Sequence, residues 1–189
     1  MGELLMTRLF ARIDNDGECK EIVDFEPFGK FHESITWIEI PDKIKSFVRE
    51  DYIYKDGEIV PPSLDYIHNQ CKNRLSAIRY NHEIAGISMA DGTKVGTSRE
   101  EYTKMVNLYQ SMVDGTVDEV EWKVSNDKWL TVTKNEFKNI IDTVVVHVDN
   151  SFKAEKMVSE LIRSYTDFNS LYSFDIEKNF LDSYNSLIV

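Results

Sequence analysis

Three features of the sequence predict an α+β fold. Short alternating apolar stretches, broken by tight-turn residues, fill the first 60 or so positions. Pro61-Pro62 then closes the β region, since proline cannot donate to a strand ladder. Beyond it, apolar residues recur at steps of three and four, twice behind a Ser/Thr-x-x-Glu cap. The predicted organisation is a small N-terminal antiparallel β module (1–62), a connecting helix (63–85), and a C-terminal α+β domain of two hairpins and two amphipathic helices (86–165). An extension (166–189) follows.

In the β module, MTRLFARI and ECKEIVDF flank DNDG at 14–17, where Gly17 supplies a residue able to take positive φ. ITWIEI (35–40) alternates around Trp37 and stops at Pro41. YIY (52–54) and EIV (58–60) flank Lys55-Asp56-Gly57, a second tight hairpin.

The connecting helix starts behind Ser63, a good N-cap residue. Its apolar positions are Leu64, Ile67, Cys71, Leu75, Ile78 and Ala85, a narrow stripe close to a coiled-coil seam. Such a stripe either packs on its own domain, or self-associates or docks on a partner. Gly86 ends the helix, and ISMADGTKVGTS (87–98) reads as a hairpin turning at Ala90-Asp91-Gly92.

Ser98 and Glu101 form a capping box, opening a helix with Tyr102, Met105, Val106, Tyr109, Met112 and Val113 on one face. VEWKV and KWLTV flank Ser125-Asn126-Asp127 as a further hairpin, with Trp122 and Val124 on one face and Trp129 opposite residue 123. Thr133 and Glu136 make a second capping box. From it a long helix runs to about Tyr165, although Thr143 to Val146 is β-branched and by itself suits a strand. In the tail, Phe174, Phe180 and Leu187 predict a short terminal helix.

Charge and composition narrow the functions. With Lys plus Arg 22 against Asp plus Glu 33, the net charge is −11, which repels phosphate backbones and anionic lipid. Nucleic acid and membrane are therefore not expected as partners. The N-terminus lacks a signal-peptide pattern, and no apolar run is long enough to span a bilayer. Cys19 and Cys71 have no metal-binding or redox spacing and are expected to be reduced thiols.

His32, His68, His82 and His147 lack metal-ligand partners at the required spacing, and His147 reads as a core-edge residue and His82 as solvated. The DNDG loop is no calcium site, because Arg12 and Val23 stand where an EF-hand needs acidic ligands. Phosphate-binding loops and nucleophile motifs are absent. No metal, no cofactor and no catalytic activity are expected.

Trp122 and Trp129 pose the sharpest question. Packed down, each indole buries on the order of 150–250 Å² and anchors its hairpin on the 98–113 helix. Sharing an exposed face, they form a glycan-stacking platform beside Asp127, but that requires the hairpin register to slip by one.

RYNHEIAGISMADGTKVGTSREEYTKMVNLYQ and EWKVSNDKWLTVTKNEFKNIIDTVVVHVDNSFKAEKMVSELI together resemble a phage domain of unknown function found at the C-terminus of tail-fibre-associated and tail-fibre-assembly-like proteins. Trp122, Lys123, Trp129, Thr133, His147, Phe152 and Glu155 occupy positions of its pattern, with Asn126-Asp127 in place of a turn glycine. The similarity covers about 79–162, and WIEIPD and YIYKDGEIVPP are similar in style to the opening of the same proteins.

The resemblance implies a structural protein of the virion tail, made in the host cytoplasm and linking tail fibre to tail or baseplate. A tail-fibre assembly chaperone and a receptor- or glycan-binding module are the alternatives. Other tail proteins are the implied partners, with a homo-oligomer, in particular a trimer to match fibre symmetry, as the expected state. The expected partner-binding residues are Leu64, Ile67, Cys71, Leu75 and Ile78 on the seam, with Phe174 and Phe180 in the extension.

Overall fold

The computed structural model describes residues 8–46, 48–89, 92–125 and 128–188. The expected strand start at Met6-Thr7, the turn residues Ala90, Asp91, Asn126 and Asp127, and the side chain of Val124 lie outside the described residues. The chain is α+β and divides into two compact units, 1–67 and 68–189. This differs from the predicted segmentation, because most of the 63–85 helix and all of the C-terminal extension belong to the second unit.

In the first unit β1 (Phe10–Ile13) lies between β2 (Cys19–Val23) and β3 (Thr36–Glu39), antiparallel to both. As the central strand it is covered on both faces, and Phe10, Ala11 and Ile13 are all buried. The DNDG turn works as its composition predicts. The Asp14 carboxylate accepts the N–H groups of Asp16 and Glu18 at 3.0 and 2.9 Å, which holds it below the usual carboxylate range. Gly17 has φ +83°, and a Cβ there would stand 2.9 Å from the Tyr54 carbonyl oxygen. β4 (Ile53–Lys55) and β5 (Glu58–Val60) close over Asp56 and Gly57, both at positive φ as a two-residue hairpin of this hand requires.

The second unit is built on helices. α1 (Leu64–Ile84) begins at the end of the first unit and continues into it. β6 (Ile87–Ser88) and β7 (Lys94–Val95) make the small hairpin, followed by α2 (Arg99–Val113). β8 (Glu119–Ser125) and β9 (Lys128–Thr133) pair antiparallel and lead into α3 (Lys134–Ser164), with α4 (Phe168–Tyr172) and α5 (Ile176–Asn185) after it. Both capping boxes form: Ser98 with Glu101, and Thr133 with Glu136.

The β-branched run stays helical because burial decides the outcome. Phe137, Ile140, Ile141 and Val144 face a core shared with Met105 and Met112 of α2 and Val120 and Val132 of the hairpin. The few tenths of a kcal/mol that a β-branched residue costs in a helix are small beside the 1.5–3 kcal/mol or so gained on burying a large aliphatic chain. Further along α3, Ala154, Val158 and Ile162 are fully buried, and α5 packs along this helix.

Candidate functional site

The second unit holds a buried polar cluster where α1, α3 and α5 meet. His147 of α3 is only 6% exposed. Its Nε2 lies 3.2 Å from the carbonyl oxygens of both His82 and Glu83 in the last turn of α1, where carbonyls lack the full set of i+4 donors. Nε2 therefore carries the proton, and Nδ1 accepts the Tyr184 hydroxyl from α5 at 2.6 Å.

Thr97 completes the seal on α1. Its hydroxyl donates to the Glu83 carbonyl and accepts the Gly86 N–H at 3.0 Å. Gly86 has φ +85°, and a Cβ there would come within 2.9 Å of the Val95 carbonyl oxygen, so glycine is required.

His82 is half-buried rather than solvated. Its ring lies 4.2 Å from that of Tyr184, 5.2 Å from His147 and 5.3 Å from Phe180. Its Nδ1 is 3.3 Å from the Ser151 hydroxyl, which itself donates to the His147 carbonyl at 2.9 Å. Burial, aided by the neighbouring His147, lowers the His82 pKa below its ordinary value, and burial raises that of Tyr184. Most of these hydrogen bonds join separate elements: His147 ties α3 to α1 and α5, and Thr97 ties the β7–α2 connection to the end of α1.

Of the seven expected partner-binding residues, three are buried and four are half-buried. Ile67, Leu75 and Phe180 are buried, and Leu75 sits in the floor of a shallow cleft. Leu64, Cys71 and Ile78 are half-buried. Phe174 is half-buried too, with its ring 5.3 Å from that of Tyr165, whose carbonyl lies 3.1 Å from His68 Nε2. The stripe on α1 is narrow because it fits its own domain: Ser76 and Arg79 on that helix bond Glu155 of α3 at 2.6 and 3.0 Å.

The two tryptophans part company. The register pairs Lys123 with Trp129 and Trp122 with Leu130, which puts the indoles on opposite faces. Trp122 packs on Phe137, ring centroids 5.2 Å apart, and joins the core of α3 as well as that of α2. Trp129 is 57% exposed with the Lys123 ammonium 5.7 Å over its ring. Anchoring therefore describes Trp122 alone, and a shared stacking platform is ruled out by the strand pairing.

Two surface features went unread in the sequence. In the first unit, Phe25, Phe28 and Phe31 stand exposed between β2 and β3, with Phe25 stacked on Phe31 at 6.3 Å and Phe31 tilted on Trp37 at 5.3 Å. The spacing FEPFGKF carried the signal, but it has neither a strand nor a helix period. In the second unit, a cleft of about 520 Å³ is lined by Glu83, Thr97, Arg99, Tyr102, Val145 and Phe152, among others. A shallower one of about 400 Å³ continues past Phe152 to Lys72, Leu75 and Lys156. Among the described residues no group of three or more His, Cys, Asp or Glu side chains could hold a metal ion. No described helix is long and apolar enough to cross a membrane.

Fold and surface together define a class: an α+β domain whose capped helices and hairpins are bolted by buried polar contacts, and whose accessible features are grooves and aromatic patches. The chain belongs to the family described as Domain of unknown function (DUF4376), whose model matches residues 68–177. The match starts with the first residue of the second unit and ends at the second residue of α5. No curated protein and no solved structure matches the chain.

Proposed function

We propose that this chain is a structural component of a phage tail, an adaptor that links the tail fibre to the tail or baseplate. The resemblance of residues 79–162 to the domain of tail-fibre-associated proteins supports this reading. The structural observation that carries it is the exposed Phe25, Phe28 and Phe31 cluster of the first unit. Stacked aromatics left in solvent are an interaction surface in waiting, since large aromatic side chains dominate the binding energy of protein interfaces. The cluster borders β3, an outer strand of its sheet, so a partner could add a strand while covering the rings.

The test is mass spectrometry of purified virions, expected to find the protein in mature particles. Its absence from them overturns the adaptor reading and favours an assembly chaperone that leaves the fibre. A variant with Phe25, Phe28 and Phe31 changed to Ser is expected to fold but fail to incorporate.

A further inference from the structure

We propose that the groove between α1 and α3, ending at the start of α2, receives an acidic amphipathic helix of another protein. The inference goes beyond the tail reading and stands without it. Both clefts belong to one surface, because Phe152 lines each of them. Along α3 the lining residues run from Val145 to Ser159. At 1.5 Å per residue that is roughly 21 Å, the length of a helix of about 14 residues.

The floor suits an apolar face. Val145, Val148 and Phe152 line the larger cleft, and Leu75 lines the smaller. Phe152 is 49% exposed yet held in place, with the Arg79 guanidinium 4.4 Å over its ring. Arg79 is itself fixed by Glu83 and Glu155. An exposed aromatic that is already ordered loses little side-chain entropy when a partner covers it, which is the usual character of an interface anchor.

Charge selects the partner. Three carboxylates line the groove, and each is already engaged: Glu83 and Glu155 by Arg79, and Asp149 by Lys153 at 2.5 Å. Three cations line it as well, Arg99 at one end with Lys72 and Lys156 at the other, and none of them makes an ion pair among the described residues. With the pairing cations Arg79 and Lys153 included, five cations stand against three carboxylates here, on a chain of net charge −11. A helix with acidic flanks meets open cations there, whereas a basic helix meets no open carboxylate. The Tyr102 hydroxyl beside Arg99 adds a hydrogen-bond donor suited to a carboxylate.

The probe is a fluorescein-labelled peptide of about 14 residues with leucines at i, i+3, i+4 and i+7 and glutamates on its flanks. Fluorescence anisotropy with the full chain is expected to show saturable binding that weakens as salt rises. A triple charge reversal, Lys72→Glu, Arg99→Glu and Lys156→Glu, is expected to weaken binding about tenfold or more, and Phe152→Ala by a similar factor, at unchanged melting temperature. All these positions are solvent-accessible, and either variant suffices should the other fail to fold. No saturable binding overturns the proposal. So does equal binding of a lysine-for-glutamate peptide or of one with its leucines scrambled, and so does a charge reversal that leaves affinity unchanged.

Discussion

Tyr184→Phe isolates the contact that joins α5 to the rest of its unit. The substitution keeps the ring and removes one hydroxyl, so almost no cavity is created. The hydroxyl donates at 2.6 Å to Nδ1 of a His147 that is 6% exposed, and Nε2 is committed to the carbonyls of α1. Without it, Nδ1 becomes a buried acceptor with no donor, and an orphaned buried group costs about 1–3 kcal/mol. For a unit of this size that lowers the melting temperature by about 3–5 °C per kcal/mol. The assay is urea unfolding followed by Trp122 fluorescence, with Trp37 and Trp129 changed to Phe so that the second unit alone reports. The midpoint should fall with the denaturant slope unchanged. Repeating the substitution in a His147→Leu background supplies the decisive control, because with Nδ1 gone the hydroxyl loss should cost far less. A loss below about 0.3 kcal/mol, or the same loss in both backgrounds, refutes the proposed role of this hydrogen bond.

Three further outcomes follow from the same geometry. His82 has a lowered pKa, so between its folded value and the ordinary 6.5 the unfolded chain binds more protons, and stability is full above about pH 6.5 and falls as pH drops through that window. The groups facing it are His147, Ser151 and Tyr184, with Arg79 and Glu83 on its own helix, and unfolding measured across this range should flatten in His82→Gln. Trp122→Ala should cost more than about 2 kcal/mol, whereas Trp129→Ala should stay within about 0.5 kcal/mol, as thermal melts can show. Cys19 is fully buried with its thiol pushed up to about 11, and Cys71 is half-buried with its thiol also raised by burial, so native thiol labelling near about pH 8 should reach the more accessible Cys71 first and Cys19 only on unfolding, read by peptide mass.

What the sequence made legible was local. Both caps lie within four residues of chain, and the Asp56-Gly57 turn carries its conformation in its composition. The long helix could be followed through its β-branched run because residues on either side kept a helical period. Trp122 and Trp129 were harder, because their faces depend on strand register, and the alternation that would fix it is interrupted at the bulge between Lys123 and Ser125.

The bolt around His147 could not be read at all, since it joins residues 37 and 65 positions apart in a single hydrogen-bonded cluster. That long-range pairing also bears on the α1 stripe, which as sequence suits either its own domain or a partner. Polar residues beside it, Ser76, Arg79 and His82, complete an interface with α3 inside the chain. An apolar count along one helix misses a contact half made of hydrogen bonds. What then remains for partners is the part of the groove that those bonds leave open, where Phe152 is ordered but not covered.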